Sequence, residues 1–345
     1  MHTTYEYKRC AAFTSKLNTY KLLRVMNIFV TGGSGFLGKR LIMRLVGDGH
    51  TVSSLARSLE AADIVKSLGA TPLIGELTNI PEWERALSKF DVVIHAASPV
   101  EFWGKWEHFE RDIVRSTSEL YASAAENNVR RFIYISSESV LQATKPLLDI
   151  TEQEPYPDEP NSLYGKAKKL AEQALMRSQG ITDCVILRPT FIWGKGVPAL
   201  EILLEKMKTG RFRWIDGGKT VIECVYIDNV VEAIICALTR GRHKCIYNIT
   251  DDSPKTVREL ITALVATQGV IPPEKNTSIG LARLIASLAE GIWNVFKLDA
   301  SPPLSRFEMS FVSMPRRYNI RAAKEELGYT PRVAFAQGLE EMKKG

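Results

Sequence analysis

The sequence predicts an α/β protein: a doubly wound parallel sheet with helices on both faces, followed by a smaller C-terminal α+β domain. Three observations predict it. Short β-rich apolar runs alternate with segments of helical period from residue 26 to about 195. A glycine-rich turn, Thr31-Gly32-Gly33-Ser34-Gly35-Phe36-Leu37-Gly38, joins the first strand to the first helix. Beyond Gly194 the alternation gives way to helices mixed with short strands and with loops such as Ile271-Pro272-Pro273 and Ser301-Pro302-Pro303. Strands joined through helices form right-handed crossovers and hence a parallel sheet. The 345 residues allow one or two domains. We divide them into an extension (1–25), a sheet domain (26–195) and a C-terminal domain (196–345), with room for the last two to interweave.

Taken in order, Asn27–Thr31 reads as the first strand and Phe36–Val46 as the first helix. Thr51–Ala56 is a weaker strand, because two serines interrupt its apolar run, and Leu59–Leu68 a helix. Thr71–Ile74, Asp91–His95, Arg131–Ser136 and Asp183–Arg188 continue the strands, with helices near His108–Asn127 and Leu163–Arg177 between them. The C-terminal half carries helical patterns at Ala199–Lys208, Asn229–Leu238, Thr256–Thr267, Leu281–Phe296 and Ile320–Leu327.

Composition removes several function classes. Hydrophobic residues at 45% and charged residues at 24% exclude a disordered chain. Lys and Arg number 45 against 39 Asp and Glu, but five of the bases and one acid fall in residues 1–25. The rest is nearly neutral, so no nucleic-acid partner is expected. Cys10, Cys184, Cys224, Cys236 and Cys245 are odd in number and scattered, which reads as thiols in a reducing compartment and not as a disulfide frame or metal site. No run of 18 apolar residues and no signal-like apolar core is present, so a cytoplasmic location is expected. Residues 1–25 are either a stretch preceding a true start at Met26 or a basic targeting extension. We favour the first and expect poor order in both cases.

The glycine turn carries the first chemistry. Gly33, Gly35 and Gly38 satisfy Gly-x-Gly-x-x-Gly between a strand and a helix. That setting calls for glycine at a tight turn, at a close backbone approach to a pyrophosphate, and at close helix–sheet contact. The helix N-terminus then supplies free N–H groups for the anion. Gly32 through Gly38, including Ser34, Phe36 and Leu37, are therefore candidate cofactor contacts. The second strand ends in Arg57-Ser58 without the acid that grips an NAD ribose, so NADP is preferred over NAD. A plain solvent-facing arginine is the competing reading. Glu76 and Leu77 follow the third strand, where a carboxylate suits the adenine amine, and Ala96-Ala97-Ser98 offer small residues after the fourth.

Tyr164 and Lys168 stand one helical turn apart at the start of a helix. A free phenol titrates near ~10, so unassisted phenolate at neutral pH costs roughly 4 kcal/mol. A neighbouring ammonium lowers that cost and brings the phenol into acid–base range. Lys168 can also hydrogen-bond the nicotinamide ribose. Ser137, after the fifth strand, can orient a carbonyl or hydroxyl; Ser136 and Ser139 are alternatives if the strand end is misread.

These residues together resemble the extended short-chain dehydrogenases/reductases, also called the NAD(P)-dependent epimerase/dehydratase superfamily. The resemblance rests on TGGSGFLG (31–38), DVVIHAAS (91–98), YISSESV (134–140), YGKAK (164–168), LRPTFIWG (187–194) and VYIDNVVEA (225–233). It implies a Rossmann domain, Tyr164 as catalytic acid/base, Lys168 as its partner, Ser137 as third member, and Pro189 and Thr190 beside the nicotinamide. Phe102-Trp103-Gly104-Lys105-Trp106 and Leu327-Gly328-Tyr329-Thr330-Pro331 are similar to 3β-hydroxysteroid dehydrogenase-like members. Phe191 stands where nucleotide-sugar epimerases tend to carry asparagine, which argues against a nucleotide-sugar substrate. Asp112-Ile113-Val114-Arg115 departs from the family's usual Asn-Val-x-Gly and puts the helix packing there in question.

The expected activity is hydride transfer between nicotinamide and a secondary alcohol or ketone of a sterol- or lipid-like molecule. An epimerase or dehydratase using a tightly bound cofactor is the second reading, with Glu138 as its only nearby carboxylate. A non-catalytic dinucleotide sensor is the third. Phe102, Trp103, Trp106, Trp193, Phe212 and Trp214 fall in segments bordering the site, although any single one reads better as core. Leu281, Leu284, Ile285, Leu288, Ile292 and Val295 form an apolar stripe, read as core-facing in preference to a peripheral membrane contact. His95 and His108 read as structural. The family resemblance also leaves room for a homodimer.

Overall fold

A computed structural model describes residues 25–99, 102–296 and 305–343. The expectations for residues 1–24, with Cys10, and for Ser301-Pro302-Pro303 lie outside the described residues. So do those for the side chains of Ile292 and Val295.

Seven strands form one parallel sheet: β1 (Asn27–Thr31), β2 (Thr51–Ala56), β3 (Thr71–Ile74), β4 (Val92–His95), β5 (Arg131–Ile135), β6 (Asp183–Pro189) and β7 (Cys245–Ile249). Their order is β7-β6-β5-β4-β1-β2-β3. The chain leaves β1 in one direction and returns to its other side at β4, and a crevice opens at that reversal. Register brings Thr31 beside His95 and His95 beside Tyr134, so the candidate site residues gather at the carboxyl ends. β7 comes from beyond residue 196, and the C-terminal half thereby supplies an edge of the sheet.

Alternation along the strands explains the two layers. In β1, Ile28 and Val30 face a core completed by Leu41, Ile42 and Leu45 of α1 (Phe36–Gly47). Phe29 faces the other, with Phe132 and with Leu120 of α3 (Ser116–Glu126). α2 (Leu59–Ser67) packs along β2 and β3. α4 (Leu163–Arg177) buries Ala167, Ala171 and Leu175 in the second layer, and α5 (Ile227–Ala237) buries Val230 and Ile234 in the first. Strands buried on both faces read as continuous apolar runs. The helix ahead of α3 winds with π spacing over Glu110–Arg115, the segment that departs from the family pattern, and still buries Ile113.

A third core holds Trp193, Phe212 and Trp214 with Leu260 and Leu264, so those three aromatics are core residues. One expectation fails. In the helix Ile279–Phe296, Leu281, Leu284, Ile285 and Leu288 are 44–58% exposed, whereas Ala282 and Ala286 are buried and pack with Met309. The alanines let two helices approach closely, which leucines at those positions would prevent, and the leucines therefore turn outward.

Candidate functional site

The glycine turn starts where β1 ends. Gly32 has φ +77°, and a Cβ there would sit 2.8 Å from the Ala97 backbone. A Cβ on Gly33 would overlap the Ser54 hydroxyl, and one on Gly38 the Gly32 carbonyl oxygen. These three glycines are demanded by the protein's own packing. Gly35 differs: it is exposed, and a Cβ there would meet only the Gly32 carbonyl oxygen, at 3.2 Å. α1 begins at this point with no side-chain cap and no acid in its first turn. An open glycine ahead of uncapped N–H groups fits a dinucleotide's pyrophosphate. Phe36 and Leu37 lend that turn backbone groups, while their side chains pack into the third core.

Arg57 is exposed at the end of β2. Ser58 caps α2, its hydroxyl oxygen accepting from Ala61 N at 3.2 Å, which leaves its O–H free to donate. The Glu76 carbonyl accepts from Trp83 Nε1 at 2.9 Å, fixing the loop that presents its exposed carboxylate and half-buried Leu77. Ala96, Ala97 and Ser98 follow β4, half-buried, with Ala97 N donating to Thr31 Oγ1 at 3.2 Å. Pro189 and Thr190 are buried at the end of β6, and Thr190 N donates to the Ile249 carbonyl at 3.1 Å.

Ser162 caps α4 by accepting from Gly165 N at 3.0 Å. A Cβ on Gly165 would lie 2.5 Å from the Ser139 carbonyl oxygen, so this glycine lets the helix close against the turn after β5. Tyr164 is thereby held beside Ser137. Burial pushes the Tyr164 phenol up to about 12, and the neighbouring Ser98 and Ser137 hydroxyls act in the opposite direction. Ser98 thus belongs with the phenol, a placement its sequence position did not suggest. Ser136 and Ser139 are buried with hydroxyls that have no partner among the described residues, and Ser137 is the serine at the phenol.

Lys168 is buried one turn on. Its Nζ donates to the Ile135 carbonyl at 2.8 Å and lies 4.6 Å from the Tyr134 ring centre. Burial lowers its pKa to about 7, and the Glu172 carboxylate opposes this. Glu172 itself is tied to Arg188 (Nη2–Oε2 2.6 Å) and accepts from the Tyr156 hydroxyl at 2.6 Å. His95 is buried between Thr31 Oγ1 (2.7 Å) and Thr117 Oγ1 (3.0 Å) and stacks on Tyr134. Burial, helped by Lys168, depresses it to about 3, so it is neutral.

Glu138 follows Ser137 directly and pairs with Arg316 at 3.3 Å, both buried. An aromatic wall adjoins the phenol. Phe102 meets Tyr164 edge-on at 5.4 Å, Phe307 stacks on Phe102 at 3.8 Å, and Phe311 lies 6.4 Å from Phe307 and 5.4 Å from Phe191. Of the six aromatics singled out in the sequence, Phe102 meets the Tyr164 ring. Phe307, Phe311 and Arg316 were missed, because no local pattern links them to a tyrosine more than 140 positions away.

The profile of the 3-beta hydroxysteroid dehydrogenase/isomerase family matches residues 29–280. The chain belongs to that family. The match spans both the glycine turn and the Tyr164/Lys168 helix of this family member. It is 35% identical over 320 residues (92% of this chain, 96% of the relative) to 4-hydroxy-2-methyl-3-oxo-4-farnesyl-3,4-dihydroquinoline-1-oxide ketoreductase of Stigmatella aurantiaca. It is 31% identical over 328 residues (92% and 98%) to 2-alkyl-3-oxoalkanoate reductase of Stenotrophomonas maltophilia. UDP-glucose 4-epimerase of Thermotoga maritima shares the fold, with TM-score 0.71, 21% identity and coverage of 92% and 98%. This member of the 3-beta hydroxysteroid dehydrogenase/isomerase family is an NAD(P)-dependent oxidoreductase of the extended short-chain type.

Proposed function

We propose that the protein transfers a hydride between nicotinamide and a secondary alcohol or ketone of a hydrophobic small molecule, with Tyr164 as the acid/base. The observation that carries this is the Tyr164 phenol, buried against Ser98 and Ser137 and bordered by Phe102. In reduction, Ser137 and Tyr164 hydrogen-bond the substrate carbonyl oxygen, and Tyr164 gives that oxygen its proton. In oxidation Tyr164 removes the alcohol proton. Lys168 holds the neighbouring charge and fixes the ribose side of the site. Gly32 to Gly38, Glu76, Leu77, Ala96, Ala97, Pro189 and Thr190 would hold the dinucleotide. When bound, it supplies or takes up the hydride. The relatives named for 3-oxo compounds, together with the aromatic wall, support a sterol- or lipid-derived 3-oxo substrate. Arg57, exposed and without an acid beside it at the strand end, supports NADP over NAD.

A screen at 340 nm with NADPH and NADH against steroid, acyl and sugar carbonyls tests this reading. We expect oxidation of NADPH with oily ketones, loss of roughly a thousandfold or more in Tyr164→Phe with cofactor affinity kept, and a weaker NADPH preference in Arg57→Ala. Near-full turnover in Tyr164→Phe overturns the assignment. The epimerase or dehydratase reading has less support, because the one carboxylate beside Ser137 is engaged by Arg316.

The exposed leucine row of the helix Ile279–Phe296 supports a peripheral contact with a lipid surface, from which an oily substrate would enter. A second copy of the chain, forming a homodimer, is the other occupant for that face. No helix among the described residues is long and apolar enough to cross a membrane. Cys184, Cys224, Cys236 and Cys245 are free thiols, which supports a cytoplasmic setting.

A further inference from the structure

Arg316 and Glu138 are 1% and 4% exposed, and both connect to the phenol. Glu138 is the next residue after Ser137. The Arg316 guanidinium lies 4.6 Å over the Phe311 ring, and from there Phe307 and Phe102 continue ring by ring to Tyr164. Their charges meet at 3.3 Å, yet the contact is misaligned. Glu138 Oε2, Arg316 Nε and Arg316 Nη2 make no aligned hydrogen bond among the described residues, and neither does the buried Tyr318 hydroxyl, which lies against the Glu138 carboxylate. Nη1, by contrast, donates to the carbonyls of Ser310, Phe311 and Met314, so one edge of the guanidinium is fixed and the other faces the Glu138 carboxylate in charge contact, without an aligned hydrogen bond. Buried polar groups are ordinarily satisfied. We propose that Arg316 and Glu138 form a polar subsite for a hydroxyl substituent of a hydroxy-ketone substrate. The guanidinium donates to the hydroxyl oxygen, and the carboxylate accepts its proton.

The pairing of donor and acceptor selects the ligand group. A hydroxyl satisfies both residues. A hydrocarbon would leave Arg316 Nε and Nη2 without an acceptor and Glu138 with the Tyr318 hydroxyl alone, and a substrate carboxylate would meet the charge of Glu138 as well as that of Arg316. The aromatic run between the subsite and Tyr164 suits a planar ring skeleton between the two oxygen functions. This inference rests on the reading of Tyr164 as the group at the reacting carbonyl.

Binding to the full chain loaded with NADP+ tests it without turnover, so a protein that binds but moves no hydride counts against the Tyr164 reading and not against the subsite. The probes are 1-tetralone, its 5-, 6- and 7-hydroxy derivatives and a carboxy derivative, measured by calorimetry. At least one hydroxy isomer should bind about tenfold or more tighter than 1-tetralone, and the carboxy compound should bind more weakly than that isomer. Glu138→Leu combined with Arg316→Met removes both charges together and leaves no lone buried ion. In that variant, its fold checked by melting, the hydroxy preference should fall below about twofold. Glu138→Gln keeps shape and an acceptor without the charge, and there the carboxy compound should gain on the hydroxy isomer by about tenfold. Absence of any hydroxy preference in the native protein overturns the proposal. So does a preference that persists in the folded double variant, or an unchanged ratio in Glu138→Gln.

Discussion

The Lys168 ammonium lies 4.6 Å from the centre of the Tyr134 ring, nearer than the 5.8 Å that separates it from the ring of Tyr164. A cation over an aromatic face is held by the ring's quadrupole, most strongly where water is excluded. The amine is therefore cradled by β5, through Tyr134 and the Ile135 carbonyl, as well as by its own helix. With Lys168 at about 7 and Tyr164 at about 12, the amine of the cofactor-free protein gives up its proton before the phenol does.

Replacing Tyr134 should move that titration. The groups facing the amine are Tyr134, Tyr164, the Ile135 carbonyl, Glu172 and, behind Tyr134, neutral His95. Tyr134→Leu removes the ring and favours the uncharged amine, so the pKa should fall by roughly one unit. The pH profile of kcat/KM, which reports free-enzyme groups, measures the shift. Tyr134→Phe keeps the ring and should restore the native profile. Coincident profiles for all three proteins would refute the cradle.

His95 makes stability pH-dependent. Its folded pKa of about 3 lies below the ordinary 6.5, so between those values the unfolded chain binds a proton that the folded one does not. Stability from this residue is complete above 6.5 and is lost as pH falls towards 3. Melting temperature should drop by roughly 2 °C per pH unit across that window from this group. His95→Gln, which still bonds two neighbours, should flatten the slope.

The turn glycines should separate into two kinds. Gly38→Ala drives a methyl into the Gly32 carbonyl and should cost about 2 kcal/mol or more, seen as a lower melting temperature. Gly35 has φ −80°, which Ala adopts readily, and its one close contact is the Gly32 carbonyl oxygen at 3.2 Å, so the melt should fall far less than in Gly38→Ala. The new methyl would stand where the pyrophosphate approaches, and NADPH affinity, followed by fluorescence, should fall about tenfold.

On the outward row, Leu284→Ser with Leu288→Ser should leave stability within about 0.5 kcal/mol. Sedimentation with vesicles of phosphatidylcholine and phosphatidylglycerol should then show at least about tenfold weaker binding than the native chain. If native and variant sediment with vesicles equally little, and only the native chain dimerises, the face belongs to a second copy.

Sequence alone determined what short-range physics controls. Short apolar runs marked β1 to β6, the glycines marked the turn before α1, and i, i+4 spacing put Tyr164 and Lys168 on one side of α4. Each of these depends on a few neighbouring residues and on the fixed geometry of strand and helix. Tertiary structure decided the rest: that Phe307 stacks on Phe102, that Arg316 reaches Glu138, that His95 sits between Thr31 and Thr117, and that Ala282 and Ala286 go inward. The helical period of Ile279–Phe296 announces two faces but does not say which one a neighbour will cover, because that depends on how closely another backbone can approach. Contacts between residues far apart in the chain arise only when the sheet and its crossovers bring them together, and no local pattern encodes that meeting.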